Sequence, residues 1–312
     1  MIKNAQVANC NIVFGENERP MLEFFDTIIY PAMTSGITRT SGDNRYLFMN
    51  IDIGKNKEGY YVMTGILVKK TILEIKSDLT VNGMLIEKNE RYSSAPYSSF
   101  AINLLNHRMI FVPNQKGSPS LSSFRSTLKH VVDSYTKIKN MELSEDKKLE
   151  KAIVNVVGIP GIKSMDELLD NVEKIESLTL RFYPLNGDED YSEAFGILAR
   201  DIRKEVGSKR GEIIFKSPKS ISGIKRILRD AAGTIAPIIK GVTRERSKVT
   251  LTENEMTEKH EIEIDNGLDL DNERRKLVSA TSEINSMNYT NNHHDAIYDK
   301  NKGKIIPFVN RK

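Results

Sequence analysis

The spacing of apolar residues changes along this chain, and that change restricts its fold more than any other feature. Through the first 113 residues the apolar positions come in short runs with strand character. Ala8, Cys10, Ile12 and Phe14 alternate with Asn9, Asn11 and Val13, the period-two pattern of a half-buried strand. Further runs predict strands at 46–53, 58–68, 73–76, 84–86 and 107–112, with Asn82-Gly83 as a hairpin turn. One helix interrupts them, starting at Pro20 and ended or kinked by Pro31. The expectation is a mostly antiparallel sheet carrying at least one helix.

Beyond Pro113 the period lengthens. Leu121, Phe124, Leu128, Val131, Tyr135 and Ile138 lie three or four apart, as on one face of a helix. Polar 140–151 reads as a linker or exposed turn. Strand and helix signals then alternate, with strands at 152–159, 177–183 and 211–216. Helices are predicted after a capping box at Ser164-Met165-Asp166-Glu167, over about 190–206, and over about 220–230 with a resumption after Gly233. Lys248–Leu251 and His260–Ile264 read as a hairpin.

A chain of 312 residues with 39% hydrophobic content exceeds one typical domain and can fill real cores. The reading is α+β. Residues 1–140 form a β-rich unit, 152–265 an alternating β/α unit, and 266–312 a polar, partly ordered tail in which 305–309 can dock.

The single cysteine, Cys10, excludes an internal disulfide and cysteine-rich metal sites, and its strand position marks it as a small core residue. No apolar run approaches the roughly 18 residues that span a bilayer, and the first six residues lack a signal-peptide core. The expected location is the cytoplasm, without membrane contact.

The formal net charge is only +4, but the charges are segregated. Residues 200–248 hold 14 Lys/Arg against 5 Asp/Glu, while 249–275 hold 3 against 9. In the basic part Lys209, Arg210, Lys216, Lys219, Lys225, Arg226 and Arg229 are candidate phosphate contacts. The last three lie opposite Ile221, Ile224, Ile227 and Leu228 on the predicted helix. The competing reading pairs these cations with the acidic stretch downstream. Phe215 is the lone aromatic residue near them, which argues against a single-strand stacking platform.

A second candidate is a metal-dependent nuclease. Asp52 in one strand and Glu74-Ile75-Lys76 in another have the form of an Asp…Glu-x-Lys core, in which two carboxylates hold Mg²⁺ and the lysine positions water. The competing reading is an exposed strand face. His107, His130 and His260 are isolated, and His293-His294-Asp295 lies in the expected tail, so no metal site is assigned. No other cofactor is called for, since phosphate-loop, nucleophile-elbow, zinc-helix and dinucleotide fingerprints are all missing. Gly158-Ile159-Pro160-Gly161 reads as a turn.

Three stretches carry a resemblance. They are Met165–Asp170 running through Glu176–Asp188, the alternating N-terminal strand, and the segment from Lys248 to Ile264. Together they resemble an uncharacterised bacterial family, a domain of unknown function found near mobile elements and phage-defence genes. Where that family has Pro-Asn-Pro-Asp, this chain has Pro184-Leu185-Asn186-Gly187. The resemblance implies a setting of bacterial or phage conflict and transfers no reaction or catalytic residue. The preferred expectation is a non-enzymatic binding protein contacting DNA or RNA through the basic segment. The alternatives are the nuclease and a protein–protein subunit of a defence complex.

Overall fold

Ile2–Phe14 (β1) pairs with four other strands, more than any other strand of the fold. The computed structural model describes residues 2–188, 201–264 and 269–309. After β1 come Arg19–Pro20 (β2), Arg39–Ser41 (β3), Asn44–Lys55 (β4), Tyr61–Leu79 (β5), Leu85–Ser94 (β6), Tyr97–Asn103 (β7), Arg108–Pro113 (β8) and Ala152–Gly158 (β9). These strands and Lys259–Glu263 (β14) form one antiparallel sheet in the order β14-β1-β8-β7-β5-β4-β3. Within it β2 and β9 also pair with β1, and β6 pairs with β5. A second antiparallel sheet contains Val172–Phe182 (β10), Gly211–Lys216 (β11), Ile235–Thr243 (β12) and Lys248–Thr252 (β13), ordered β11-β10-β12-β13. The protein is therefore α+β.

Both faces of β1 are covered, so Ala8 to Phe14 are all buried rather than half-buried. One face carries Ala8, Cys10, Ile12 and Phe14 into the main core, beneath Leu121–Asn140 (α2) and the helical segment Met21–Thr34. Phe124 of α2 sits edge-on to Phe48, Phe100 and Phe111, an arrangement that adds to its area burial. Ser120 caps α2 by accepting from the Ser123 N–H. The Met21–Thr34 segment does not end at Pro31. It runs through a 3₁₀ turn and a π turn into Tyr30–Thr34 (α1), and Pro31 occupies the first turn, where a missing N–H costs little.

Several strand expectations change because pairing is non-local. The runs at 58–68 and 73–76 are one 19-residue strand, β5, turned at Asn82-Gly83 into β6. The strand expected to open the second unit, β9, lies instead in the large sheet beside β1. The expected 248–264 hairpin does not form: β13 pairs with β12, while β14 crosses to β1. Between them Glu253–Met256 (α6) has the capping box, with Thr252 and Glu255 as its two members. The box predicted at Ser164 is not used, because Ile162–Leu169 (α3) already starts after Gly161. Past Gly233 the chain becomes β12, not helix. Most of the helix expected at 190–206 lies outside the described residues, which include its end, Arg203–Glu205 (α4). The helix expected near 220–230 is Ile221–Ala231 (α5), capped by Ser220.

The second core lies between α3, α5 and one face of the second sheet, with Leu178, Leu180, Phe182, Ile224, Leu228 and Ile239 inside. The segment expected as a polar tail is folded. Leu270–Glu283 (α7) buries Leu277 and Ala280 on the large sheet. Its Glu273, also buried, accepts from Ser99 Oγ at 2.7 Å and Tyr97 OH at 3.2 Å. Asn292–Asn301 (α8) buries His294, Ile297 and Tyr298, and Ile305 is fully enclosed. Few apolar anchors suffice because these short helices lie on surfaces already built by the sheet. Among the described residues no helix is long and apolar enough to cross a membrane.

Candidate functional site

Among the described residues the second sheet has one covered face and one open face. On β10 the alternation puts Leu178, Leu180 and Phe182 into the core and turns Thr179 and Arg181 the other way. Cross-strand register brings Glu212 opposite Arg181 on β11 and Ala236 opposite it on β12. Arg181, Ala236, Ile238 and Thr252 meet Val154 and Asn155 of β9, Arg125 of α2, and Tyr183, Arg210, Glu253 and Asn254 in a groove of about 410 Å³. Three guanidinium groups from three separate segments thus line one depression. Arg181 Nε donates to Glu212 Oε1 at 2.7 Å, and Arg210 stands 4.0 Å from the same oxygen. Arg125 is half-buried and has no ion pair among the described residues. Lys216 and Lys240 lie on the same open face, at register positions opposite Ser177.

Beneath the groove runs a polar track. Asn155 is paired with Asn11 across β9 and β1, and Asn9 with Arg108 across β1 and β8, all on the sheet face turned toward the segment that follows β10. That segment is held from below. Asn11 Nδ2 donates to the Pro184 carbonyl, Asn9 Nδ2 donates to Asp188 Oδ2 at 2.9 Å, and the Met21 N–H donates to Asn186 Oδ1 at 3.0 Å. Asp188 Oδ1 lies 3.5 Å from His294 Nε2, and the His107 and His294 rings are 6.3 Å apart. Arg108 Nη1 donates to the Ala232 carbonyl at 2.9 Å, and its guanidinium stands over the Tyr289 ring. Gly187 lets the segment close onto α8: at φ +95° a Cβ there would come within 2.9 Å of Ile297 and 3.0 Å of His294.

The cluster is buried and incompletely paired. Asn9, Asn11, His107, Arg108, Asn186, Asp188 and His294 carry ten of the fourteen buried side-chain nitrogen and oxygen atoms that lack a hydrogen-bond partner among the described residues. Such atoms normally number a few per hundred residues. Burial and the charge of His294 push the His107 pKa down to about 3, so this imidazole is neutral near pH 7. Burial alone would raise the Asp188 carboxyl, but His294, Arg108 and the Asn9 amide outweigh it and hold the pKa below the usual range. A neutral imidazole, an ionised carboxylate and a buried guanidinium make a network that fixes the 183–188 segment, and with it Tyr183, at the groove.

The sequence-predicted cations are not gathered on one surface. Lys225 is spent on Asp166 and Asp170, at 2.7 and 2.8 Å, and these pairs raise its pKa. Arg226 and Arg229 are exposed on α5, which covers the opposite face of the sheet from the groove. Lys209 and Lys219 are exposed in loops. Of the seven, Arg210 lines the groove and Lys216 shares its face. Arg125 and Arg181 were not singled out. Arg181 had a legible signal as the lone cation in the alternating run Leu178–Phe182. Arg125 had none, because only tertiary packing brings α2 to the second sheet.

The Asp52, Glu74 and Lys76 constellation is not assembled. Asp52 is opposite Thr64, ten residues along β5 from Glu74, a separation on the order of 30 Å at about 3.3 Å per residue. One metal ion cannot bridge that. Asp52 pairs with Arg274 at the edge of a cavity of about 590 Å³ beneath α7. Glu74 accepts from Arg91 Nε at 2.8 Å, which lowers its pKa. Among the described residues no group of three or more His, Cys, Asp or Glu side chains is placed to hold a metal ion. Cys10 is fully buried, which pushes its thiol up to about 12 and keeps it from acting as a nucleophile. Comparison with protein-family models gives no match, and comparison with curated proteins gives none either.

Proposed function

We propose that the protein binds nucleic acid, DNA or RNA, along the open face of its second sheet, with backbone phosphates against Arg125, Arg181 and Arg210. The observation that carries this reading is the convergence of those three guanidinium groups on one groove. With Lys216 and Lys240 the face presents five cations against Glu212 and Glu253. Phosphate contacts of this kind give affinity without base specificity. The exposed side chain of Ile214, the half-buried side chain of Ile238 and the ring of Tyr183 offer apolar contact to bases beside the phosphates. In the setting that the resemblance implies, the ligand is nucleic acid met during phage or mobile-element conflict.

Fluorescence anisotropy with labelled single-stranded and duplex oligonucleotides tests this. For single strands, three phosphate contacts give a slope of about −2 in log affinity against log salt, or about 20-fold weaker binding for a fourfold rise in salt. The double variant Arg125→Ala/Arg181→Ala leaves one contact and cuts that loss to about threefold. Arg226→Ala/Arg229→Ala on α5 leaves both affinity and slope unchanged. Absence of binding, salt-insensitive binding, or a loss confined to the α5 variant would each remove the groove from consideration.

A further inference from the structure

Between the first half of α7 and the large sheet lies the cavity of about 590 Å³, within the roughly 300–1,000 Å³ of small-ligand sites. Thr64 and Ile66 of β5 form its floor. Alternation puts them on the face of Val62, which shares a core with Leu277 of α7. One wall is Ser99 with Glu273, and the other is Asp52 with Arg274. Ile66, Leu270 and Leu277 supply apolar surface. Beside the cavity β4 bulges: its register slips between Met49 and Asp52, and Asn50 takes φ +52°.

The charges around this space do not balance. Among the described residues its lining holds the carboxylates of Asp52, Asp271 and Glu273 against the guanidinium groups of Arg274 and Arg275. Arg274 already serves both aspartates, pairing with Asp52 and standing 3.4 Å from Asp271. Arg275 is exposed to solvent. Glu273 is only 4% exposed, and among the described residues no cation pairs with it. Its hydrogen bonds come from the hydroxyls of Ser99 and Tyr97. Burial first and the Glu273 charge second push the Tyr97 phenol up to about 12, so this partner is neutral at pH 7. A carboxylate has about four acceptor sites, which leaves roughly two on Glu273. A buried charge without a counter-charge is costly, and a cation brought into the cavity offsets that cost.

We propose that this cavity binds a small organic amine. Its ammonium group donates to Glu273, and its apolar body lies against Ile66, Leu270 and Leu277. The excess of one carboxylate in the lining selects a single positive charge. A space between a helix and a sheet admits a small molecule and not a folded chain. The lining shares no residue with the groove on the second sheet, so the two sites stand or fall separately.

Isothermal titration calorimetry of the full chain at pH 7 tests this with cyclohexylmethylamine and its uncharged isostere cyclohexylmethanol. The amine is expected to bind, and the alcohol to bind tenfold more weakly or worse, since a hydrogen bond to a charged group is at stake. Glu273→Gln keeps an acceptor for Ser99 and Tyr97 and removes the charge. It is expected to weaken the amine tenfold or more and to leave the circular dichroism spectrum unchanged. Leu270→Ala spares the carboxylate and trims the apolar wall, with an expected loss of about fivefold for amine and alcohol alike. No heat from the amine at millimolar concentration, an alcohol that binds as tightly, or wild-type affinity in both variants overturns the proposal.

Discussion

Replacing His107 with asparagine separates burial from ionisation in the polar cluster. His107 has φ +59°, in the left-handed region that asparagine tolerates well, so the backbone turn survives the change. Folding moves the pKa of this imidazole from 6.5 to about 3, by burial first and the His294 charge second, with Asp188 opposing. Between those values the unfolded chain binds a proton that the folded protein refuses. Stability therefore rises with pH up to about 6.5 and falls as the solution is made more acidic than that. At about 1.36 kcal/mol per pH unit, acidification from about pH 7.5 to about pH 5 costs the wild type ~2 kcal/mol through this one side chain. Asparagine does not titrate, so His107→Asn escapes that loss. Asp188, Arg108 and His294 face the same position in both proteins, and to first order their contributions cancel in the difference. Urea unfolding followed by far-UV circular dichroism suits a chain without tryptophan. The stability gap between the two proteins is expected to shift by ~2 kcal/mol in favour of the variant on acidification. A gap that does not change with pH would refute the argument, because it would mean that the folded protein accepts the proton.

Three other outcomes follow from the packing. Gly187→Ala forces a Cβ against Ile297 and His294 at a positive φ and is expected to cost about 2–3 kcal/mol in urea unfolding; unchanged stability would remove the close approach. Glu273→Ala strips the acceptor from Ser99 and Tyr97 under α7, with an expected loss of about 1–3 kcal/mol and earlier proteolysis of the C-terminal helices. If the helices resist protease as before, their docking does not depend on this carboxylate. Lys225→Ala removes two exposed ion pairs and is expected to cost less than about 1 kcal/mol and to leave oligonucleotide affinity unchanged. A large loss of affinity would return the α5 surface to the interface.

Features carried by neighbouring residues were legible in the sequence. The α+β class, the turn at Asn82-Gly83, the span of α2 and the Ser220 start of α5 depend on period, turn chemistry and caps, all of which act over a few positions. Pairing partners were not legible. β13 and β14 look like a hairpin because both are short, apolar and close in sequence, yet a sheet strand takes whichever edge is free, and the free edge of β1 lay far back in the chain. The same physics decided the site. Lys225 looked available until α3 brought Asp166 and Asp170 beside it. Arg125 looked like an ordinary helix cation until β9 joined β1 and carried α2 to the second sheet. The buried cluster draws on β1, β8, the segment after β10 and the start of α8, and nothing in those four stretches points to the others. Local geometry is written in local residues, whereas the meeting of distant side chains depends on which sheet edges and faces are left to cover.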